Sequence, residues 1–263
     1  MCGRYAVTRD PATLAIDFDA VDTTGDGVNA VDYNVAPSKD VVTVVQRHPR
    51  DAAGAVLDSA PAVRSLRMMR WGLVPFWAKD SGIGSRMINT RAETAAEKPA
   101  FRNALARRRC LIPAHGWFEW RSPSTTDGGA RPVKEPFFMT PSDGSSLAFA
   151  GLWETWHDPN AAAADPPLIT CSVLTTDAVG PLTDIHHRMP LLLPATEWPE
   201  WLDPDNTDAR EMLHQPPRDL VDSLELRPVS TRVNSVRNNG PELIERIDPA
   251  PSEPNALFDL SDG

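Results

Sequence analysis

The residue whose position most constrains the chemistry of this chain is Cys2. Removal of Met1, expected when the second residue is small, leaves one residue carrying an α-amine and a thiol on adjacent carbons. An α-amine titrates near about 7.7–8, against about 10.4 for lysine, so a useful fraction is unprotonated and nucleophilic near neutrality. An aldehyde meeting that pair can form an imine with the nitrogen and then close through the sulfur into a five-membered thiazolidine. No other side chain gives that ring.

Four further segments carry groups that could serve such a step. Asn89-Thr90-Arg91-Ala92-Glu93-Thr94 is too polar for a strand face; the Asn89 amide can orient a nucleophile and Arg91 offers a planar fork to a phosphate. Its continuation Thr94-Ala95-Ala96-Glu97 also fits a helix capping box. Glu119 stands between Trp117-Phe118 and Trp120, where apolar surroundings raise a carboxyl pKa toward general acid–base use, unless it sits on the solvent face of an amphipathic strand. His186-His187-Arg188-Met189-Pro190 offers His186 as an acid or base and, on the same face of an extended chain, Arg188 as a phosphate contact. Trp71 and Trp77, beside Arg64, Arg67 and Arg70, make either a stacking platform for unpaired bases or part of the core. His115, His186 and His187 have no cysteine or carboxylate at metal-motif spacing, so no metal is expected, and where the substrate supplies the electrophile no organic cofactor is expected either.

The elements that must position these groups are mostly strands. Alternating or apolar runs recur at 3–8, 41–47, 64–73, 110–120, 136–140, 147–156, 168–176, 188–193 and 224–233. Helices are fewer: 10–18 with Asp10 as cap and Pro11 in first position, 99–108 opened by Pro99, and 196–202 and 207–214 capped by Thr196 and Thr207. The expected fold is α+β, β-rich, a single domain over 1–248 with flanking helices, followed by an acidic, proline-containing tail at 249–263. Prolines crowd Ser122–Lys134 and Asp158–Pro167, which read as surface loops.

Composition narrows the function classes. No apolar run approaches a membrane span, the start of the chain lacks the apolar stretch of a secretory signal, and the protein is expected in the cytoplasm. Three widely spaced cysteines indicate neither a disulfide framework nor a zinc knuckle; Cys110 and Cys171 read as buried thiols. The net charge of −10 on its own opposes nucleic acid, yet residues 10–32 hold six Asp and no Lys or Arg, and 248–263 hold four acidic residues and no basic one. Residues 64–121, by contrast, carry twelve Lys and Arg against Asp80, Glu93, Glu97 and Glu119. A basic patch on an acidic molecule suits a confined anionic ligand.

Taken together, Met1-Cys2-Gly3-Arg4-Tyr5, Tyr33-Asn34-Val35-Ala36-Pro37, Trp71-Gly72-Leu73-Val74-Pro75 with Trp77, Asn89-x-Arg91-Ala92-Glu93-Thr94, Cys110–Trp120 and His186-x-Arg188-Met189-Pro190 resemble, in order, the SOS response-associated peptidase family, the abasic-site processing proteins also called SRAP domains. The resemblance spans residues 1 to about 235. It implies a compact domain with a basic channel for single-stranded DNA containing abasic sites, and a thiazolidine crosslink formed by Cys2 that protects the lesion. It implies further that Asn89 positions the Cys2 amine, that Glu119 moves protons, and that His186 assists opening of the deoxyribose and, with Glu119, reversal. Arg4, Arg91 and Arg188 would hold phosphates and Trp71 with Trp77 would shape the strand's path. The family name adds self-processing that exposes Cys2. Thr90 departs from the smaller residue expected between Asn89 and Arg91. No protein partner is expected, and a monomer associated with the nucleoid when bound to DNA suffices.

Two other readings use the same residues. In an N-terminal-nucleophile thiol peptidase Cys2 attacks amides with His186 or Glu119 as base. In a non-covalent single-strand binding module the arginines and tryptophans suffice and Cys2 is dispensable.

Overall fold

The computed structural model describes residues 2–25, 27–122, 134–162 and 164–247. Met1, most of the Ser122–Lys134 loop and the acidic tail expected at 249–263 lie outside the described residues.

The larger sheet runs, in hydrogen-bonded order, Arg188–Pro190, Leu168–Asp177, Leu147–Trp156, Arg109–Ala114, Asp40–Arg47, Val63–Trp71 and Val21–Asp22, with Asn89–Arg91 added in parallel to Leu168–Asp177. Thr170 and Cys171 also pair in parallel with Arg70 and Trp71. That pairing joins the Leu168–Asp177 and Val63–Trp71 strands and closes five strands into a barrel. Closure leaves these strands no free edge, which suits their Val- and Leu-rich sequences. The smaller sheet is antiparallel, in the order Leu224–Pro228, Glu135–Pro141, Gly116–Arg121, Tyr5–Val7 and Asp32–Val35.

The run expected as one strand over 110–120 is two, broken at His115, whose N–H donates to the Ala6 carbonyl (2.7 Å). There the chain leaves the barrel and enters the smaller sheet, so that sheet lies against one end of the barrel. Tyr5, Trp71, Trp117 and Phe149 pack edge to face across the junction, with Tyr5–Trp71 centroids 5.3 Å and Trp117–Phe149 centroids 6.1 Å apart. All four are essentially buried, each contributing about 1.5–3 kcal/mol of apolar burial.

Gly72, which follows Trp71, has φ +122°, and a Cβ there would sit 2.7 Å from the Gly84 carbonyl oxygen. The glycine of the Trp-Gly-Leu-Val-Pro run is therefore required by the backbone.

Short-range signals hold where they are strongest. Asp10 caps Pro11–Asp17 by accepting from Thr13 N (2.8 Å). Elsewhere the helices are shorter than expected. The 99–108 segment is helical over Arg102–Arg107 after Phe101, and 207–214 reduces to one 3-10 turn, Arg210–Met212, with Ala209 rather than Thr207 in the cap position. Helix 196–202 starts as a 3-10 turn at Ala195, so Thr196 does not cap it. The capping box at Thr94 is not used either: the helix there is Ala92–Ala95 and Arg91 occupies the cap position. Asn89–Arg91, read as too polar for a strand, is one. Its parallel neighbour supplies the backbone partners, and Thr90, buried, meets the Ser172 hydroxyl (2.9 Å).

Candidate functional site

The first strand pairs antiparallel with Gly116–Arg121, Tyr5 opposite Trp117, and Phe118 N donates to the Arg4 carbonyl (2.9 Å). Followed back toward the start of the chain, that register carries Cys2 and Gly3 alongside Glu119. Cys2 is fully buried. Burial, and next the neighbouring Glu119 charge, push its thiol well above the usual range, so the sulfur is held as a thiol. From the barrel side, Asn89 Nδ2 donates to the Cys2 carbonyl oxygen (2.8 Å). Asn89 Oδ1 is buried and has no partner among the described residues. A buried acceptor left open beside the first turn of chain is a place for a donor to bind.

Glu119 is 4% exposed, so the solvent-face reading of this glutamate does not hold. Burial raises its carboxyl to about 7. The strand alternation explains the position: Trp117 and Glu119 share the face turned to the barrel end, while Phe118 packs on the other side against Phe138, ring centroids 4.8 Å apart. Trp117, Glu119, His186 and Arg188 line one small cleft, walled also by Met139, Leu182, Ile185 and Met189. His186 is half-buried, and burial holds its pKa below the ordinary value. Arg188 N donates to His186 Nδ1 (3.0 Å), which puts the proton of the neutral ring on Nε2. The His186 ring stacks on that of His187, centroids 4.3 Å apart. The arrangement supplies a carboxyl poised between acid and base, an imidazole donor and a thiol in one neighbourhood.

The proposed DNA contacts separate into two groups. Arg188, expected as a phosphate contact, is 6% exposed and committed: its guanidinium meets Glu93 (2.7 and 2.9 Å), Asp177 (2.6 Å) and the Thr175 carbonyl (2.6 Å). It ties Ala92–Ala95 to the strand that carries His186 into the cleft, and a phosphate would have to displace two carboxylates to reach it. Trp71, expected along a strand's path, is 1% exposed with Nε1 donating to Ile88 O (2.9 Å), so it is core. Trp77 is 51% exposed, as a stacking residue requires. Arg91 is exposed and Arg4 half-buried, and neither has a carboxylate partner among the described residues. Arg4 donates to Asn34 Oδ1 (2.7 Å) and Val233 O (2.9 Å).

Sequence reasoning missed Asn34 and Glu93 as organisers. Asn34 is fully buried, and its Nδ2 donates to Val233, Ser235 and Asn238 carbonyls (3.3, 3.0 and 2.9 Å), pinning the segment that also holds Arg4. Asn34 was visible only as part of the Tyr33–Pro37 motif, with no role attached to it. Among the described residues no group of three His, Cys, Asp or Glu side chains could hold a metal, and no helix is long and apolar enough to cross a membrane.

A barrel capped by a second sheet thus buries Cys2 at the junction, beside a carboxyl of near-neutral pKa. A family model described as SOS response associated peptidase (SRAP) matches residues 1–236, and the chain belongs to that family. It is 38% identical over 249 residues to the abasic site processing protein YoqW of Bacillus subtilis (strain 168), covering 93% of this chain and 99% of that one. It is 30% identical over 283 residues to the abasic site processing protein HMCES of Gallus gallus, covering 94% and 78%. A crystal structure of a Bacteroides thetaiotaomicron protein superposes with a TM-score of 0.73 at 21% identity over 94% of this chain and all (100%) of that one, which shows the fold. One from Bordetella bronchiseptica gives 0.65 at 26% identity over 87% of this chain.

Proposed function

We propose that this protein processes abasic sites in single-stranded DNA by capturing them covalently through Cys2 once Met1 is removed. The observation that carries the reading is the grip of Asn89 on the Cys2 carbonyl beside Glu119, a buried carboxyl titrating at about 7. The names of the relatives supply the substrate class.

The chemistry follows from those groups. His186 Nε2–H hydrogen-bonds to the sugar ring oxygen and steadies it as the hemiacetal opens to the aldehyde, the anomeric hydroxyl releasing a proton to water as the ring oxygen takes one up. The Cys2 amine, which can donate to the open Asn89 Oδ1, adds to the aldehyde carbon. The carbinolamine loses water as the protonated Glu119 gives its proton to the departing hydroxyl. The Cys2 sulfur then adds to the carbon of the resulting iminium, whose N–H becomes the ring amine, and the thiol proton passes to the Glu119 carboxylate. Aldehyde and cysteine become thiazolidine and water, and release retraces the steps. Because the substrate supplies the electrophile, no cofactor is needed.

Arg4 and Arg91 hold phosphates and Trp77 stacks a base in this reading, with one domain over 1–248 acting as a monomer in the cytoplasm and on the nucleoid. Removal of Met1 by the protein itself uses the same thiol, Glu119 and water. The test is a denaturing gel of the protein with single-stranded DNA bearing one abasic site, beside an intact strand and the Cys2→Ala variant. A slow band that requires both the lesion and Cys2 supports capture. No such band from protein shown by mass spectrometry to lack Met1 rejects it.

A further inference from the structure

The barrel has a second mouth. Register places Trp71, Thr175, Leu147 and Ala114 at the end that meets the smaller sheet and Cys2, and Arg47, Val63, Thr155 and Ile169 at the other. At this far end a cavity of about 660 Å³ opens, within the range of small-ligand sites. Its floor is apolar, from Val45, Met69 and Ile169; its rim carries Arg47, Arg50, Arg67 and Arg107.

Those arginines are short of counter-charge. Asp58 and Asp205 also line the cavity, but no carboxylate lies within ion-pair distance of any of the four arginines among the described residues; Glu154 is taken by Arg108 (3.3 Å) and Asp205 by His48 (3.1 Å). Arg47 is half-buried and donates to the Arg107 carbonyl (2.8 Å). Burial first, then the neighbouring Arg108, Arg50 and Arg67, hold its pKa below the ordinary arginine value. The Arg47 guanidinium lies 5.3 Å from the centroid of the Trp153 ring, which also lines the cavity, and this holds its fork at the wall. Trp153 Nε1 is itself buried without a partner among the described residues. Arg50, Arg67 and Arg107 are exposed and Arg47 half-buried, so their guanidiniums are open to a ligand; cations set around a concave site draw anions into it, and planar guanidinium forks match phosphate oxygens in particular.

We propose that this far mouth of the barrel is a binding site for a phosphomonoester of nucleotide size, with the phosphate on Arg47, Arg67 and Arg107 and the base against Val45, Met69 and Ile169. The site is separate from Cys2 and does not depend on the capture reaction. A free mononucleotide and the phosphorylated end of a strand present the same chemistry to it.

Isothermal titration of the full chain with a nucleoside 5′-monophosphate, with a 5′-phosphorylated dinucleotide and with inorganic phosphate tests the assignment. The expected result is saturable, salt-sensitive binding of the nucleotide at least tenfold tighter than inorganic phosphate. Arg67→Glu should weaken it tenfold or more, Arg67→Ala less, and Cys2→Ala should leave it unchanged; thermal melts verify that each variant is folded. Dinucleotide binding tighter than mononucleotide assigns the site to strand ends, and the reverse assigns it to free nucleotide. Absence of saturable binding, equal affinity for inorganic phosphate, or loss in Cys2→Ala but not in folded Arg67→Glu overturns the proposal.

Discussion

Asn89 reaches across from the barrel to donate its Nδ2–H to the Cys2 carbonyl at 2.8 Å, a bond between residues 87 apart in sequence. The strand that carries Asn89 is only three residues long, and it is held by parallel pairing with Val173–Thr175. The start of the chain is thus fixed by a side chain whose own position depends on the barrel. Asn89→Ala removes the donor and the open Oδ1 together. With a hydrogen bond at such a site worth about 1–2 kcal/mol, single-turnover capture of abasic DNA should slow by about 5-fold to 30-fold while the melting temperature moves little. Asn89→Asp keeps the shape and loses the donor, and should slow comparably. Wild-type rates in both would make the bond structural only.

Arg188 and the DNA-facing arginines should behave differently. Arg188→Ala leaves Glu93 and Asp177 facing each other without their cation and strands the Thr175 carbonyl. Both carboxylates keep access to water, with side chains 46% and 70% exposed, so the cost falls toward the lower end for a broken pair, about 2–3 kcal/mol in urea unfolding. Arg91→Ala should leave stability within about 0.5 kcal/mol and reduce the salt slope of single-strand binding by about 0.7. A change of salt slope in Arg188→Ala without loss of stability would restore Arg188 as a phosphate contact.

The two tryptophans of the Trp71–Trp77 segment make a matched contrast. Trp71→Ala empties a core position against Tyr5 and should cost about 3–5 kcal/mol of stability. Trp77→Ala, at an exposed position, should cost about 1–3 kcal/mol of single-strand affinity and little stability. Equal affinity of Trp77→Ala and wild type for an unmodified strand would remove the stacking role.

That contrast marks where sequence legibility ends. Continuous β-branched runs such as 41–47 announce strands to within a residue, because β-branched enrichment is a local property. Which of two tryptophans six positions apart is buried depends on closure of the barrel between Val63–Trp71 and Leu168–Asp177, a pairing of residues a hundred apart that no local pattern contains. Asn89–Arg91 was misread for the same reason: its polar side chains find Ser172 and the Cys2 carbonyl only in the folded chain. Glu119 was legible as a candidate because its flanking aromatics foretold apolar surroundings. Arg188 was visible as a charge but not as a buried one, since Glu93 and Asp177 approach it from separate elements.

Glu119 gives the sharpest pH signature. Its folded carboxyl titrates at about 7 against 4.5 for an unperturbed glutamate, so between those values the folded protein keeps a proton that the unfolded chain has released. Its contribution to stability is therefore complete below about pH 4.5 and lost as pH rises to 7, about 3 kcal/mol in all as an upper bound. Glu119→Gln carries no such titration. The melting temperature of wild type should fall relative to that of Glu119→Gln between pH 5 and pH 8, and parallel curves would mean an ordinary pKa. Catalysis should show the same group from the other side. Capture needs a free amine, favoured as pH rises toward about 8, and a protonated Glu119, lost above about 7, so the wild-type rate should peak near neutrality. In Glu119→Gln the rate should drop by about 100-fold or more and the alkaline limb should disappear. A variant that keeps the wild-type bell would assign the titration to another group.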